Sequence, residues 1–519
     1  MKKHSKRILA FALMAVFIVS VISVAGLSIS KSTTKPDTET KDKTTITGTP
    51  ADNYPDDKRA TFCGTGNAKS NRFITEFKIP TICTQPLAIT TDPSGTVWFT
   101  ESNTGRLAKF DPFSRQFTEY NNTQWPKGDR AMMWGITRTD DGNLWYTDEI
   151  HHAIWKFSIG DKNFSSFKYP VPQGGKSFPQ KIVLKNDKIL VNDFDGNRIT
   201  FFDPTQVGKE IKYTSVNSPL NNTVTAALAI DSRDNIWYTA WNFQTGEGNL
   251  IQYDPQTSDG TRFNFPAGMR APNGISVDND DKIWISDTSS SFFFKFDPQS
   301  QLFTKFVTSP PQQTTYGNSS GVIKTPVTRP YWNSFDDLGR LWFNEQTGNS
   351  IAVFDPTKET LVEYLIPSQN PNWSDCGGLQ NCGIAQTLDF AISGKSIWFS
   401  EWVENNIGVL DSSIPLPIDV SLDKRDLIIS GGENATLSFT VTPMEDIKEP
   451  IKLITSTTAG LNDLLVTSET QEVNVGSQPL SVSLNVSADK FALPGTYKVL
   501  IGAQHNEVTI SEYATVTIK

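Results

Sequence analysis

The chain has 519 residues, more than one ordinary domain and enough for two or three. Charged residues are 20% and the formal net charge is −9, which argues against a nucleic-acid-binding protein, since those carry a basic face. With 13 Trp and 32 Phe there is ample material for a large core. Four His are few for a metal enzyme of this size, and four Cys are compatible with two disulfides in an oxidising compartment.

Lys2, Lys3, Lys6 and Arg7 precede an uncharged run from Ile8 to Ser30. The run is long enough to span a bilayer as one helix, and the basic residues before it send the remainder outward. Ser23-Val24-Ala25 is an acceptable cleavage site, so residues 1–30 read either as a signal peptide or as a retained single-pass membrane anchor. Both place the rest of the chain outside the cytosol, extracellular or at the cell surface. Residues 31–60 are Thr-rich, charged and poor in large apolar residues, the composition of a disordered stalk. Asn-x-Ser/Thr triplets at Asn121, Asn163, Asn221, Asn318, Asn372, Asn434 and Asn485 would suit an exported glycoprotein.

From Pro86 a unit recurs seven times, with a second-strand anchor at Trp98, Trp145, Leu190, Trp237, Trp284, Trp342 and Trp398. Alternating apolar residues lead to a D-G, S-G or N-D turn. Then come W-F/Y-T-E/D, a loop, an aliphatic strand ending F-D-P, and F-T-E-Y. Four short strands at this period predict propeller blades, whereas solenoids of similar period are mostly helical. Blade seven stops at 407–411 without a fourth strand, and RFITEFKIP at 72–80 resembles the missing one, so the N-terminal strand is expected to close the ring. From Ile414 the repeat ends and alternating strands without Cys predict an immunoglobulin-like β-sandwich, an adhesion or spacing module. The fold expected is all-β: a seven-bladed β-propeller over 61–413 and a small β-sandwich over 414–519, preceded by the hydrophobic N-terminal helix.

The units PSGTVWFTESNTGRLAKFDP and GKSIWFSEWVENNIGVLD closely resemble the repeat of the streptogramin lyase (virginiamycin B lyase) family. That resemblance implies a seven-bladed propeller covering about two-thirds of the chain. In the family a cyclic depsipeptide is linearised by elimination, with a divalent metal. It also implies a site built from a His opening a first strand, a Glu fourteen residues on, and a second His two beyond. The matching triples here are Leu87/Glu101/Asn103, Trp134/Asp148/Ile150, Gln180/Asp193/Asp195, Ala226/Ala240/Phe243, Asn273/Asp287/Ser289, Tyr331/Glu345/Thr347 and Thr387/Glu401/Val403. An acid stands in six of the seven and an imidazole in none; His151 and His152 lie just past the relevant place in blade two. An elimination needs a general base near its proton, so this pattern favours ligand binding over lyase chemistry.

First-strand starts and second-strand ends share one mouth of a propeller. Glu101, Asp148, Asp193, Asp287, Glu345 and Glu401 are therefore expected at one end of the axis. There they would either hold Ca²⁺ or Mg²⁺ with oxygen ligands or cap backbone N–H groups in their own blades. Asn273 would be a neutral ligand, and Glu345 and Glu401 are the candidate catalytic acids of a metal-dependent lyase or lactonase-like hydrolase acting on a cyclic ester. A faint likeness to lactonase-type propellers of the gluconolactonase family points the same way. Trp134, Tyr331 and Trp332 belong to the same mouth, as a recognition platform for a surface glycan, a peptide or a small cyclic ligand, or as blade packing. The cysteines allow two pairings. Cys63–Cys83 with Cys376–Cys382 ties two local loops, while Cys83–Cys382 with Cys63–Cys376 staples the ring seam. The short loop GGLQN favours the local set.

Overall fold

The computed structural model describes residues 54–519, apart from residues 55, 127, 173–174, 318–325, 378, 380 and 461. The hydrophobic segment from Ile8 to Ser30, most of the Thr-rich stretch and Asn318 lie outside the described residues. Among the described residues no helix is long and apolar enough to cross a membrane.

Seven antiparallel four-stranded units form the blades, each running first to fourth strand in chain order except the last. In blade seven, strands Thr387–Ser393, Ser396–Glu401 and Asn406–Asp411 are completed by the N-terminal strand Ile74–Lys78. Its register runs from Ile74 opposite Leu410 to Lys78 opposite Asn406. The two ends of the propeller are thus paired and the ring has no open seam.

Local chemistry explains the repeat. Asp92, Asp231, Asp278 and Asp336 end first strands, and each stands six residues before a second-strand Trp. One carboxylate oxygen accepts turn N–H groups and the other accepts the indole N–H of Trp98, Trp237, Trp284 or Trp342, at 2.8–3.1 Å. The turn is locked while the indole is buried with its only donor satisfied. Those Trp rings are at most 2% exposed, and Trp98, Trp237 and Trp284 pack against Phe rings of neighbouring blades.

Between blades the linking groups are small polar side chains. The residue before each second-strand acid position is Thr100, Thr147, Asn192, Thr239, Ser286, Asn344 or Ser400. In blades one, three, four, five, six and seven the first strand carries a register shift at its inner end. Such a shift frees backbone groups from the ladder. Thr100 accepts the N–H of Ala88 in its own blade and donates to the carbonyl of Met133 in the next. Thr147 joins Gly135 N–H to Gln180 O, and Asn192 joins Lys181 N–H to Thr225 O. Thr239 donates to Pro272 O, and Ser286 accepts from Asn333. Asn344 joins Trp332 N–H to Thr387 O, and Ser400 donates to Leu87 O, returning to blade one. At the blade five–six contact, Gly274 sits where any Cβ would strike the Tyr331 carbonyl.

The C-terminal unit is a two-sheet sandwich. One sheet is Ile418–Leu422, Asn434–Pro443, Leu480–Ala488 and Leu464–Ser468. The other contains Ile451–Thr457, Gly495–His505 and Val508–Ile518, and it is continuous with blade six. The outer blade strand Thr360–Leu365 pairs antiparallel with Val508–Ile518, from Thr360 opposite Glu512 to Tyr364 opposite Val508. The sandwich thereby covers a sheet edge of blade six that would otherwise be exposed. Tyr513 enters the blade core between Phe306 and Phe354 and donates to Val307 O at 2.6 Å.

All 13 Trp lie in the propeller, so their fluorescence reports the propeller alone. Because the sheet is continuous, Tyr513→Ala in the sandwich is expected to destabilise the Trp-monitored transition by about 3–5 kcal/mol. An unchanged urea midpoint for Trp fluorescence in that variant would show that the two units unfold independently.

Candidate functional site

The six acids all end second strands, and all are buried. A second strand lies one strand spacing outside the channel-lining strand, so these carboxylates serve the turn into the third strand. Asp287 accepts the N–H groups of Arg270 and Ala271 and the hydroxyls of Ser289 and Ser290. Asp193 accepts from Ser177, Phe178 N–H and Gly196 N–H and pairs with Arg198 at 2.9 Å. Asp148 accepts the Trp155 indole N–H at 2.9 Å and faces His151 Nδ1 at 2.8 Å. Among the described residues no three His, Cys, Asp or Glu side chains form a group that could hold a metal. The donors at these six positions do not assemble into one shared oxygen cage.

In blades one, six and seven the second-strand acid is Glu and meets a second Glu on the fourth strand. The partners are Glu119, Glu363 and Glu76. Burial, then Glu119, holds the Glu101 carboxyl well above the usual range. Burial raises Glu345 to about 7, and burial and then Glu345 raise Glu363 well above normal. Burial followed by Glu76 does the same to Glu401, and Glu76 is itself raised by burial. Close carboxyls in a low-dielectric setting disfavour double ionisation. The sequence signal for these partners is the Glu in the fourth-strand strings ITEF, FTEY and LVEY, which the repeat pattern does not single out. Blades two, three and five carry Asp on the second strand and no Glu on the fourth.

At the channel itself the structure brings together residues the repeat pattern did not single out. Lys181 of blade three reaches Asp389 of blade seven at 2.9 Å, and Asp389 also accepts the Ile89 N–H of blade one. Asp389 is 2% exposed and burial raises its pKa. The Lys181 ammonium also lies 5.1 Å from the Trp332 ring centre. Trp134 donates its indole N–H to Glu149 at 2.6 Å, and burial holds Glu149 well above normal. The Tyr331 and Trp332 rings lie 4.4 Å apart, tilted by 38° to one another. Trp134, Tyr331 and Trp332 are 3–5% exposed, so they pack rather than present an open platform. Asn273 is turned to Thr288 and Ala271 O of its own blade. In the sequence Lys181 stands as a cation near the start of the first strand PQKIVLK, and Asp389 as an acid inside TLDFAI.

Part of the mouth is roofed by the chain before the propeller. The short helix Asp56–Phe62 begins within the stretch whose composition suggested a stalk, because Tyr54 and Phe62 give it an apolar face. Phe62 packs against Trp373 and Trp402 of blade seven, and Trp373 donates to Thr61 O at 2.8 Å. The Tyr54 hydroxyl bonds Gln85 of blade one, and Arg130, before blade two, sits 4.4 Å above its ring. The structure contains the disulfides Cys63–Cys83 and Cys376–Cys382, the first of which ties this strap to the blade-one entry. On the side away from the strap the mouth keeps half-exposed aromatics. Phe178 and Phe194 of blade three lie 5.8 Å apart, and Phe194 lies 6.0 Å from Phe243 of blade four. Trp134 and Trp241 back this run at 6.4 and 5.8 Å.

Residues 51–293 match the model of the Virginiamycin B lyase family. Selenomethionine-substituted virginiamycin B lyase from Staphylococcus aureus is similar in structure, with 20% identity and a TM-score of 0.51, over 66% of this chain and 99% of that one. The same figures hold for a catalytically inactive variant of that lyase with quinupristin. A streptogramin B lyase structure is 19% identical with a TM-score of 0.51, over 65% of this chain and 97% of its own. No curated protein sequence matches the chain. At these identities the structural likeness speaks for the fold: the chain carries a propeller similar to those of the virginiamycin B and streptogramin B lyases, and residues 51–293 are similar to the Virginiamycin B lyase family.

Proposed function

We propose that this is an extracytosolic binding protein whose propeller mouth takes a small cyclic or peptidic ligand. The observation that carries the reading is the half-exposed aromatic run Phe178–Phe194–Phe243 beside the buried Trp134 and Trp241. Flat apolar faces stack on the ring and amide faces of such ligands at low entropic cost. The first-strand positions that match the family's first His carry Leu87, Trp134, Gln180, Ala226, Asn273, Tyr331 and Thr387, which supports recognition without elimination. The two disulfides and the hydrophobic N-terminal run support an oxidising location.

Quinupristin, which is named with a similar propeller, is the probe to titrate. Binding is expected without linearisation, read by calorimetry and by mass spectrometry of the recovered probe. Phe194→Ala is expected to weaken binding by about ten- to hundredfold, the value of one buried aromatic side chain. Affinity unchanged in that variant would remove the aromatic run from the site.

One observation favours a second reading, catalysis by a cyclic-ester-opening lyase or hydrolase. His151 faces Asp148 at Nδ1 and Asp129 at Nε2, at 2.8 and 3.2 Å, with Trp125 edge-on at 4.8 Å. The Asp148 hydrogen bond raises its pKa above the ordinary 6.5, against burial, which lowers it. The raised folded pKa means that its stabilisation is complete below the unfolded pKa and is lost as pH climbs through the folded one. An NMR titration of His151 is expected to show a midpoint above 6.5 that falls in Asp148→Asn. If quinupristin is opened at all, the rate should rise with pH through that midpoint and vanish in His151→Gln. Opening that persists in His151→Gln would rule out this imidazole as the base.

A further inference from the structure

Neither the blade chemistry nor the mouth accounts for the seven Asn-x-Ser/Thr triplets. Six of their asparagines are described, Asn121, Asn163, Asn221, Asn372, Asn434 and Asn485, and all six are exposed. Elsewhere in the chain asparagine mostly works through a bonded carboxamide, as at Asn192, Asn344 and Asn349. Of the six, only Asn372 is engaged. Its amide donates to Ala60 O of the strap at 3.0 Å and to Asn370 Oδ1 at 3.1 Å, and Ser374 of the same triplet donates to Thr315 O. The carboxamides of the other five have no protein partner. Two of those five lie in irregular segments at the mouth. Asn121 follows the blade-one strand Gln116–Tyr120 and opens the connection that carries Trp125 and Arg130. Thr123, the hydroxyl residue of its triplet, is exposed as well. Asn221 lies between Thr214–Asn217 and Val224–Ile230, beside the open aromatic run. The carbonyl of the next residue accepts the amide of Asn242, which precedes Phe243, and the Thr225 N–H bonds Phe194 O.

We propose that Asn121 and Asn221 are N-glycosylated, so that two glycans rim the mouth, while Asn372 stays bare. This rests on the extracytosolic reading of the chain, because the transfer takes place outside the cytosol. The donor is an oligosaccharide joined through its anomeric carbon to a lipid phosphate or diphosphate. The asparagine Nδ2 attacks that carbon. An N–C bond forms, the C–O bond to the phosphate breaks, the lipid phosphate leaves, and the amide proton passes to a base of the transferase. An acceptor needs a free carboxamide, room for a bulky polar group and a backbone that can bend into the transferase. Asn121 and Asn221 have all three. Asn163, Asn434 and Asn485 have the free carboxamide but sit in paired strands. Asn372 would have to surrender its hold on the strap. Glycans on the blade one–two and blade three–four connections leave the Phe178–Phe194–Phe243 face open to a small ligand and hinder a protein-sized one.

The test is peptide mapping of the full-length protein purified from the cells that produce it, by mass spectrometry with electron-transfer fragmentation, which keeps a glycan on its residue. The expected result is a sugar mass increment at Asn121 and at Asn221 and an unmodified peptide around Asn372. Asn121→Gln and Asn221→Gln should each lower the intact mass by one glycan and leave the fold intact, because neither side chain is bonded. Thr123→Val keeps the asparagine and removes the hydroxyl of the triplet, so it should empty Asn121, and Thr123→Ser should refill it. An exported chain that is bare at either residue overturns the proposal. So does sugar that persists on Asn121 in Thr123→Val, or a glycan on Asn372. Cell fractionation separates this failure from that of the reading beneath it: an unmodified chain recovered in the cytosol would overturn the extracytosolic location and the proposal together.

Discussion

One small polar side chain per blade, placed just before the second-strand acid position, links the blades around the ring. A single hydrogen bond of this kind contributes only about 1 kcal/mol net, but breaking one strands a buried donor or acceptor and costs about 1–3 kcal/mol. At Thr100, Thr147, Asn192 and Asn344 the same side chain also accepts a first-strand N–H of its own blade, so it links the ladder within a blade to the next blade. From Thr100 on Met133 O round to Ser400 on Leu87 O, the interaction passes from blade to blade and meets itself. The next residue along each second strand then faces away from the neighbouring blade. This turns the six acids into their own blades and leaves the axis to first-strand side chains.

That arrangement decides where charge can sit. Asp at the acid position is satisfied by turn N–H groups, hydroxyls or a local cation. Glu is longer and reaches across the third strand to a fourth-strand Glu, producing the three buried carboxyl pairs. Two of those pairs, with Glu119 and Glu76, lie in blades whose outer strands are not extended. The third lies in blade six, where the sandwich continues the sheet, so the same carboxyl arrangement there becomes the floor of a walled cavity.

At the axis the channel is crossed by Lys181 and Asp389 and lined with Trp134, Tyr331 and Trp332, all packed. Burying that ion pair carries a desolvation cost, which the Ile89 N–H and the Trp332 face help to offset. With Tyr54 and Phe62 roofing blades seven, one and two, the open aromatic surface is left on blades three and four. The open apolar surface at this mouth therefore lies beside the channel rather than down it.

Much of the propeller was legible in the sequence, because a blade is a local object. Asp six residues before Trp, W-F-T-E, F-D-P and F-T-E-Y each specify contacts within about fifty residues, and ring closure followed from matching ITEF to FTEY. The number of blades, the order of strands and the burial of Trp98, Trp237, Trp284 and Trp342 all come from such short-range patterns. Long-range juxtapositions were not legible. No spacing announces that Lys181 will meet Asp389 across the ring, or that Val508–Ile518 will pair with Thr360–Leu365. Nor does any spacing show that Tyr54 will cap Gln85. These contacts depend on how closed sheets twist and where their edges finish, which composition and period do not encode. The sequence by itself determined the repeating blade and its turn chemistry, since those interactions are made within one unit. Only the tertiary structure decided which acids face one another, which aromatics remain open and where a cavity forms, since those depend on what each blade's neighbours cover.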